Sequence, residues 1–216
     1  MTHMADLTRL VAVVPLRSLE GAKSRLGGSL DAEERQALVT GLLDRTIHAA
    51  GGVEPIESVV VVSPDPAVLK TAAAAGATPV RQADDGLNEG LRAAARWAIA
   101  DGATALIVLA GDLPAISAEA IAAVVAGASA AAEPDRALVA LVADRHGRGT
   151  NVLLVSPPDA IPFRFGPGSR AAHLAEAQAG RAVTVELDGP LALDLDLPED
   201  LILAHELGLL DPARVG

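Results

Sequence analysis

Three aspartates have the residue type and the spacing to bind a divalent cation. Asp112 stands just after the apolar run of residues 105–110, and Asp194 and Asp196 alternate with leucines over residues 193–197. Alternation along a strand directs both carboxylates to one face, where like charges repel unless a cation lies between them. Mg²⁺ (or Mn²⁺) prefers oxygen ligands of this kind. The pattern therefore predicts a metal site.

Each aspartate also has a structural interpretation. Asp112 fits a turn residue ahead of a helix that begins at Ser117. Asp196, followed three residues later by Glu199, matches a helix N-terminal cap. A cap and a metal ligand are compatible roles for Asp196, so both interpretations stay open.

A cationic loop follows the first apolar run. It carries Arg17, Lys23 and Arg25, and Lys23 is one of only two lysines in the chain. Three cations there suit a triphosphate, although charges in a surface loop are commonly just solvated. The loop matches neither the Walker pattern nor the Gly-rich dinucleotide pattern. Asn88, in a glycine-bearing turn, could read a base edge or simply begin a helix.

The second half of the chain offers a candidate anion site. Thr150 lies in a tight polar hairpin, and Gly166 and Ser169 precede a helix whose free N–H groups can bind an anion. Ser169 is equally suited to cap that helix. His173, one helical turn further on, either faces the same anion or is exposed. No serine triad and no histidine spacing of a zinc site is visible.

The elements that must position these residues alternate between strand and helix over the first 131 residues, which predicts a parallel sheet covered on both faces. The predicted strands are residues 10–14, 58–62, 78–81, 105–110, 137–143, 151–155, 183–187 and 191–195. The predicted helices are residues 31–50, 66–75, 87–100, 117–131, 169–179 and 198–207. Strands 137–143 and 151–155 should pair antiparallel. The fold class is therefore three-layer α/β/α with a mixed, mostly parallel sheet, which binds ligands at the carboxyl ends of its strands.

Composition limits the function classes. A chain of 216 residues fits one domain, residues 1–216, of which residues 1–8 are expected to be a flexible extension. The net charge of -11 argues against nucleic-acid binding, and no apolar run suggests a membrane span or a secretory signal. We expect a cytoplasmic protein with small-molecule partners. The oligomeric state stays open, and a homodimer is compatible with the sequence.

Six segments along the chain together resemble one enzyme family. They are VVPLRSLEGAKSRL, GLNEGL, LAGDLPAIS, ADRHGRGTN, FRFGPGSRAAH and LDLDLPEDL, and they extend over residues 13–201. The series is similar to the 2-phospho-L-lactate/phosphoenolpyruvate guanylyltransferases that make coenzyme F-420. The resemblance implies a Rossmann-like nucleotidyltransferase fold. It also implies transfer of GMP from GTP, as co-substrate, to phosphoenolpyruvate or 2-phospho-L-lactate, with release of pyrophosphate.

The resemblance assigns roles to the candidate residues. Positions that bind the phosphorylated acid match Thr150, Gly166 and Ser169, and acidic metal positions match Asp112, Asp194 and Asp196. The loop from Arg17 to Arg25 matches the GTP phosphate loop, with Arg17 at a place often occupied by Lys.

The implied chemistry explains why no activated nucleophile is visible. A phosphate monoester has a second pKa of about 6 and is already an anionic nucleophile near neutral pH. Lys23, Arg25 and Asp112, with the metal, are the expected catalytic groups. Arg17, Lys23, Arg25 and Asn88 are the expected nucleotide contacts. Two alternatives remain, namely another nucleotidyltransferase of this fold, such as a molybdopterin guanylyl- or a sugar- or polyol-phosphate cytidylyltransferase, and a non-catalytic GTP-binding module. The acceptor acid, including 3-phosphoglycerate, stays open.

Overall fold

A seven-stranded mixed sheet forms the centre of the protein in the computed structural model, which describes residues 6–19, 23–82 and 86–210. The strands are β1 (Leu10–Pro15), β2 (Ile56–Ser63), β3 (Thr78–Arg81), β4 (Ala105–Leu109), β5 (Leu138–Ala143), β6 (Thr150–Ser156) and β7 (Val183–Glu186). Their order across the sheet is β3-β2-β1-β4-β6-β5-β7. Only β6 runs against the others, because it pairs antiparallel with both β4 and β5 while the remaining pairs are parallel.

The described residues form six helices, of which the first five pack on the two faces of the sheet. They are α1 (Ala32–Gly51), α2 (Pro66–Ala74), α3 (Leu87–Ala100), α4 (Ala118–Ala131), α5 (Ser169–Ala179) and α6 (Pro198–Glu206). Strand residues alternate between the faces, so that Ala12 packs with side chains of α1, α2 and α4 while Val13 packs with those of α3 and α5. This is the predicted three-layer α/β/α fold.

The first helix begins where the sequence predicts. The Asp31 side chain accepts a hydrogen bond from the Glu34 N–H, and the Glu34 carboxylate accepts one from the Asp31 N–H, which completes a capping box. The helix ends at Gly51, and Gly52 is its C-terminal cap. One face of α1 packs on the sheet, while Leu42 belongs to a third apolar cluster with Leu193 and Leu195.

One predicted strand is wrong. Residues 190–192 form a short 3₁₀ turn, Pro190–Ala192, and residues 193–197 form no strand. Leu193 and Leu195 are nevertheless buried, 7% and 0% exposed, whereas the two aspartates that alternate with them face outward. The polar–apolar alternation was therefore a correct guide to side-chain direction. It was wrong about pairing because this segment packs between α1 and α6 instead of on a sheet edge.

The N-terminal segment is better anchored than the sequence predicts. The Asp6 N–H donates to the Ser156 hydroxyl at 2.9 Å, and that hydroxyl is 3.1 Å from the Asp6 carbonyl. Leu7 packs against the core. Part of the predicted extension thus joins the body of the protein, and residues 1–5 lie outside the described residues. Within the described part of the chain, every helix is too short or too polar to span a bilayer.

Candidate functional site

Strand pairing brings the candidate residues of both halves of the chain to one edge of the sheet. The parallel strands β1 and β4 end there, and the antiparallel β6 begins there. Leu109 at the end of β4 pairs with Val152, and the Ala110 N–H donates to the Asn151 carbonyl at 2.9 Å. Thr150, the first residue of β6, is therefore at the same edge as the segment that carries Asp112.

The three predicted metal ligands lie together. Carboxylate oxygens of Asp112, Asp194 and Asp196 are all within 4.8 Å of one another. Three oxygen donors at this separation suit a hard divalent cation, which also keeps several waters. The donor set therefore fits the metal that the sequence predicts.

Burial and like charge act on this cluster. Burial, and then the neighbouring carboxylates of Asp112 and Asp196, raise the pKa of Asp194 to about 6. Lys23 lies against the cluster, with Nζ in contact with Asp112 and 2.9 Å from Asp196 Oδ1. Burial by itself lowers the pKa of Lys23, but the two carboxylates outweigh it and the net shift of this pKa is upward. A cation is thus favoured at this position, and Lys23 supplies one.

The three cations of the loop differ in their contacts with the acidic cluster. Lys23 takes a left-handed conformation, φ 54°, which is uncommon outside glycine and is typical of functional segments. Arg25 lies 3.9 Å from Asp196 with its side chain 72% exposed. Arg17 is exposed and makes no ion pair with another described residue. Residues 20–22 of the loop lie outside the described part of the chain.

A buried carboxylate holds the segment of Asp194 and Asp196 in place. Asp200 is 2% exposed, and its Oδ2 accepts hydrogen bonds from the N–H groups of Asp196 at 2.9 Å and Leu197 at 2.6 Å. Its Oδ1 accepts from Arg145 Nε at 2.7 Å. The N-terminal cap of α6 is therefore Leu197 and the predicted Asp196 cap is wrong, because Asp196 lies one residue before the cap, where Asp200 binds its N–H and that of Leu197.

Two further contacts connect the acidic cluster to the sheet. Asn151 Nδ2 donates to the carbonyls of Leu191 and Ala192, each at 3.0 Å. The Leu195 N–H donates to the Asp112 carbonyl at 3.2 Å. The strand β6 and the segment after β4 thus fix the chain between the 3₁₀ turn and α6, which sets the spacing of the three carboxylates.

The start of α5 carries a hydroxyl with no described partner. Its N-terminal cap is Gly168, not the predicted Ser169, which is the first residue of the helix. Gly168 has φ 73° and Gly166 has φ 131°, and a Cβ at either would meet no atom within 4 Å. Ser169 is 2% exposed, and its hydroxyl binds no other described residue. The N–H groups of Ser169 and Arg170 donate to the carbonyls of Gly166 and Arg148, so the Ser169 hydroxyl is a donor left for an anion at this helix start.

Thr150 is joined to α5 by a histidine. Thr150 Oγ1 is 3.1 Å from Nδ1 of His173, and the Arg164 N–H donates to Nε2 of the same ring at 3.0 Å. His173 is 0% exposed, and the Phe165 ring packs on it in a T-shaped arrangement with centroids 4.7 Å apart. Burial lowers the pKa of His173 to about 4 against a small opposing effect of Glu176. The ring is therefore neutral at pH 7, and it is buried instead of exposed.

Asn88 braces the loop before α5. Its Oδ1 accepts from the Phe165 N–H at 2.8 Å, and its Nδ2 donates to the Phe165 carbonyl at 3.0 Å. These contacts use one donor and one acceptor of the amide for the backbone. Its predicted contact with a nucleotide base stays a prediction, and the structure adds a bracing role that the sequence did not suggest.

The sequence did not indicate the roles of Asp200 and Arg145. Asp200 has the sequence context of an exposed helix-start residue, and Arg145 that of a solvated hairpin residue. Only the packing of the hairpin against α6, which joins residues 55 positions apart, makes them a pair. A usable signal was present, since Asp200 is three residues after Leu197, and an acidic side chain at that helix position can accept from the backbone N–H of the cap residue.

Comparison with known proteins identifies relatives of this chain. A family model described as "Guanylyl transferase CofC like" matches residues 10–208. A protein of Sphaerobacter thermophilus named phosphoenolpyruvate guanylyltransferase is 44% identical over 192 residues, which are 88% of this chain and 90% of that protein. A protein of Conexibacter woesei with the same name is 35% identical over 91% of this chain and 87% of its own length.

Solved structures share the fold at low identity. A nucleotide-diphospho-sugar transferase candidate from Desulfovibrio desulfuricans G20 superimposes with a TM-score of 0.73 at 16% identity, over 95% of this chain and 90% of that one. The 4-diphosphocytidyl-2C-methyl-D-erythritol synthase of Anaerococcus prevotii superimposes with a TM-score of 0.59 at 9% identity, over 95% and 100% of the two chains. These similarities establish a fold in common with nucleotidyltransferases.

Proposed function

We propose that this chain, which belongs to the family of CofC-like guanylyl transferases, transfers the guanylyl group of GTP to the phosphate of phosphoenolpyruvate. An oxygen of the acceptor's phosphate monoester forms a bond to the α-phosphorus of GTP. The bond from that phosphorus to the bridging oxygen of the β-phosphate breaks, and pyrophosphate leaves with the electron pair. The reaction would serve coenzyme F-420 biosynthesis.

The observation that carries the reaction class is the acidic cluster with Lys23 against it, at the sheet edge where Thr150 also lies. Transfer between two anions needs alignment and cancellation of negative charge. Asp112, Asp194 and Asp196 would hold a Mg²⁺ ion, which when bound supplies Lewis-acid stabilisation of the triphosphate. The phosphate monoester, with a second pKa of about 6, needs no general base at neutral pH.

The chain's own residues supply the rest of the binding. Lys23 neutralises the carboxylates in the structure and can neutralise a phosphate when that triphosphate is present. Arg17 and Arg25 are exposed and free to reach the β- and γ-phosphates. The free hydroxyl of Ser169, the open backbone at Gly166 and the Thr150 hydroxyl would hold the phosphorylated acid.

Phosphoenolpyruvate is the acceptor that the relatives support. The Sphaerobacter and Conexibacter proteins are both named phosphoenolpyruvate guanylyltransferase, and they align with this chain over most of their length. Its phosphate and carboxylate are two anionic groups, which suits the Thr150 and Ser169 hydroxyls as hydrogen-bond donors.

Pyrophosphate release tests this function. Each of four nucleoside triphosphates is combined with phosphoenolpyruvate, 2-phospho-L-lactate or 3-phosphoglycerate in the presence of Mg²⁺. We expect GTP with phosphoenolpyruvate to give the fastest release. Asp112→Asn should reduce it by about 100-fold or more, because a charge-stabilising group is lost. Asp159→Asn, which changes an exposed aspartate outside the acidic cluster, is the matched control and should leave it unchanged. Absence of release with GTP and every acid would overturn the proposal.

A further inference from the structure

The hydrogen bonds around His173 fix its tautomer. The Arg164 N–H donates to Nε2, so that nitrogen must carry a lone pair and no proton. In a neutral imidazole the single N–H then lies on Nδ1, which is 3.1 Å from Thr150 Oγ1. The ring therefore donates to the Thr150 hydroxyl oxygen and does not accept from it.

This arrangement decides what the Thr150 hydroxyl can do. A hydroxyl has one donor hydrogen and two acceptor lone pairs. One lone pair is used by His173, and no other described residue binds Oγ1. The hydroxyl hydrogen is left without a protein acceptor in the described part of the chain, while the start of α5 carries the free hydroxyl of Ser169. A donor of this kind is satisfied by an anionic oxygen.

We propose that His173 is a positioning residue which fixes Thr150 as a hydrogen-bond donor to an unprotonated oxygen of the phosphorylated acid. The proposal rests on the proposed function, since it assigns Thr150 to the acceptor acid. It adds a preference for the deprotonated form of the acid, because a protonated oxygen is a weaker hydrogen-bond acceptor than an anionic one. It also gives a neutral, buried histidine a role that involves no proton transfer.

The surroundings of His173 keep the donor in place. The Phe165 ring packs on the imidazole edge to face, and Asn88 holds both backbone groups of Phe165. Glu176, the acidic neighbour on α5, is engaged by Arg164 Nε at 2.7 Å. The ring is thus clamped by Phe165 and Arg164, and it has no competing acceptor for its Nδ1 proton among the described residues.

Two substitutions of His173 test the roles of its two ring nitrogens separately. A glutamine reaches the Nε2 position, where its carbonyl can accept from the Arg164 N–H, but it leaves Thr150 without a donor. An asparagine reaches the Nδ1 position, where its amide can donate to Thr150, but it leaves the Arg164 N–H unpaired. We expect His173→Gln to raise KM for phosphoenolpyruvate by about 10-fold, as the loss of one charge-assisted bond does. His173→Asn should stay within about 3-fold of wild type, and KM for GTP should be unchanged in both.

A double-mutant cycle with Thr150→Val tests whether the effect passes through Thr150. In that background, where residue 150 has no hydroxyl, His173→Gln should raise KM for phosphoenolpyruvate no further. The proposal would be overturned by equal KM values for the Gln and Asn variants. It would also be overturned if His173→Gln raised KM as much in the Thr150→Val background as in wild type. Turnover by wild type would still uphold the proposed function in either case.

A long-range proton–nitrogen spectrum of labelled wild-type protein reads the tautomer without any turnover. The His173 signal is assigned by its absence from the His173→Gln spectrum. A proton on Nδ1 and none on Nε2 supports the positioning role, and a proton on Nε2 overturns it. If wild type turns over no acid, the proposed function fails and so does the assignment of Thr150 to the acceptor, whatever the tautomer.

Discussion

At the scale of single residues, the site combines charges that oppose one another until substrate and metal are present. Asp194 is surrounded by Asp112 and Asp196, and its pKa is raised to about 6 by burial and by those carboxylates. Such repulsion lowers the stability of a folded protein and is a common feature of binding sites. Lys23 reduces the repulsion without removing it.

This repulsion predicts that Asp194→Asn stabilises the metal-free protein. The substitution removes one half-buried charge and keeps the shape, so we expect the free energy of unfolding in a chelator to rise by about 1 kcal/mol. Thermal unfolding with and without Mg²⁺ measures it, and Mg²⁺ should raise the Tm of wild type but not that of Asp194→Asn. Asp188→Asn, which changes an exposed aspartate, is the control for the chelator measurement. A less stable Asp194→Asn protein in the chelator would show that the cluster is not repulsive.

At the scale of elements, much of the site follows from where strands end. The alternation of strand and helix predicts the sheet, and the buried runs that end before Asp112 and Lys23 predict which edge binds ligand. The sequence could not show that residues 193–197 are held by Asp200 and Asn151 instead of by a strand partner. These are contacts between distant elements, and hydrophobic periodicity reports only which side of a segment is buried.

The Asp200 tether can be tested by itself. Asp200→Asn removes the carboxylate that pairs with Arg145 and accepts from two backbone N–H groups, so we expect the free energy of unfolding to fall by about 2 kcal/mol. Mg²⁺ affinity should fall as well, because two of the carboxylates lose their support. Titration by calorimetry and denaturant unfolding measure the two effects. Glu199→Gln, a change at its exposed neighbour, should alter neither, and equal behaviour of the two variants would refute the tether.

At the scale of the whole molecule, His173 makes the stability of the folded protein depend on pH. Its pKa in the folded protein is about 4, below the ordinary 6.5, so the unfolded chain binds a proton that the folded protein excludes. The stabilisation by neutral His173 is therefore complete above pH 6.5 and is lost as pH falls towards 4.

We expect the free energy of unfolding of wild type to fall by about 3 kcal/mol more than that of His173→Gln over this interval. Denaturant unfolding at several pH values measures the difference. His146→Gln, which removes an exposed histidine, should follow the wild-type curve. Parallel curves for wild type and His173→Gln would mean that the buried ring does not resist protonation.

The fate of the acceptor's phosphate tests guanylyl transfer most directly. Phosphoenolpyruvate labelled with heavy oxygen in its phosphate is incubated with GTP, Mg²⁺ and the protein, and the products are analysed by mass spectrometry. The proposed reaction places all of the label in a guanylyl diphosphate ester of the acid and none in pyrophosphate. Formation of GDP, label in the pyrophosphate, or the absence of an ester product would contradict it.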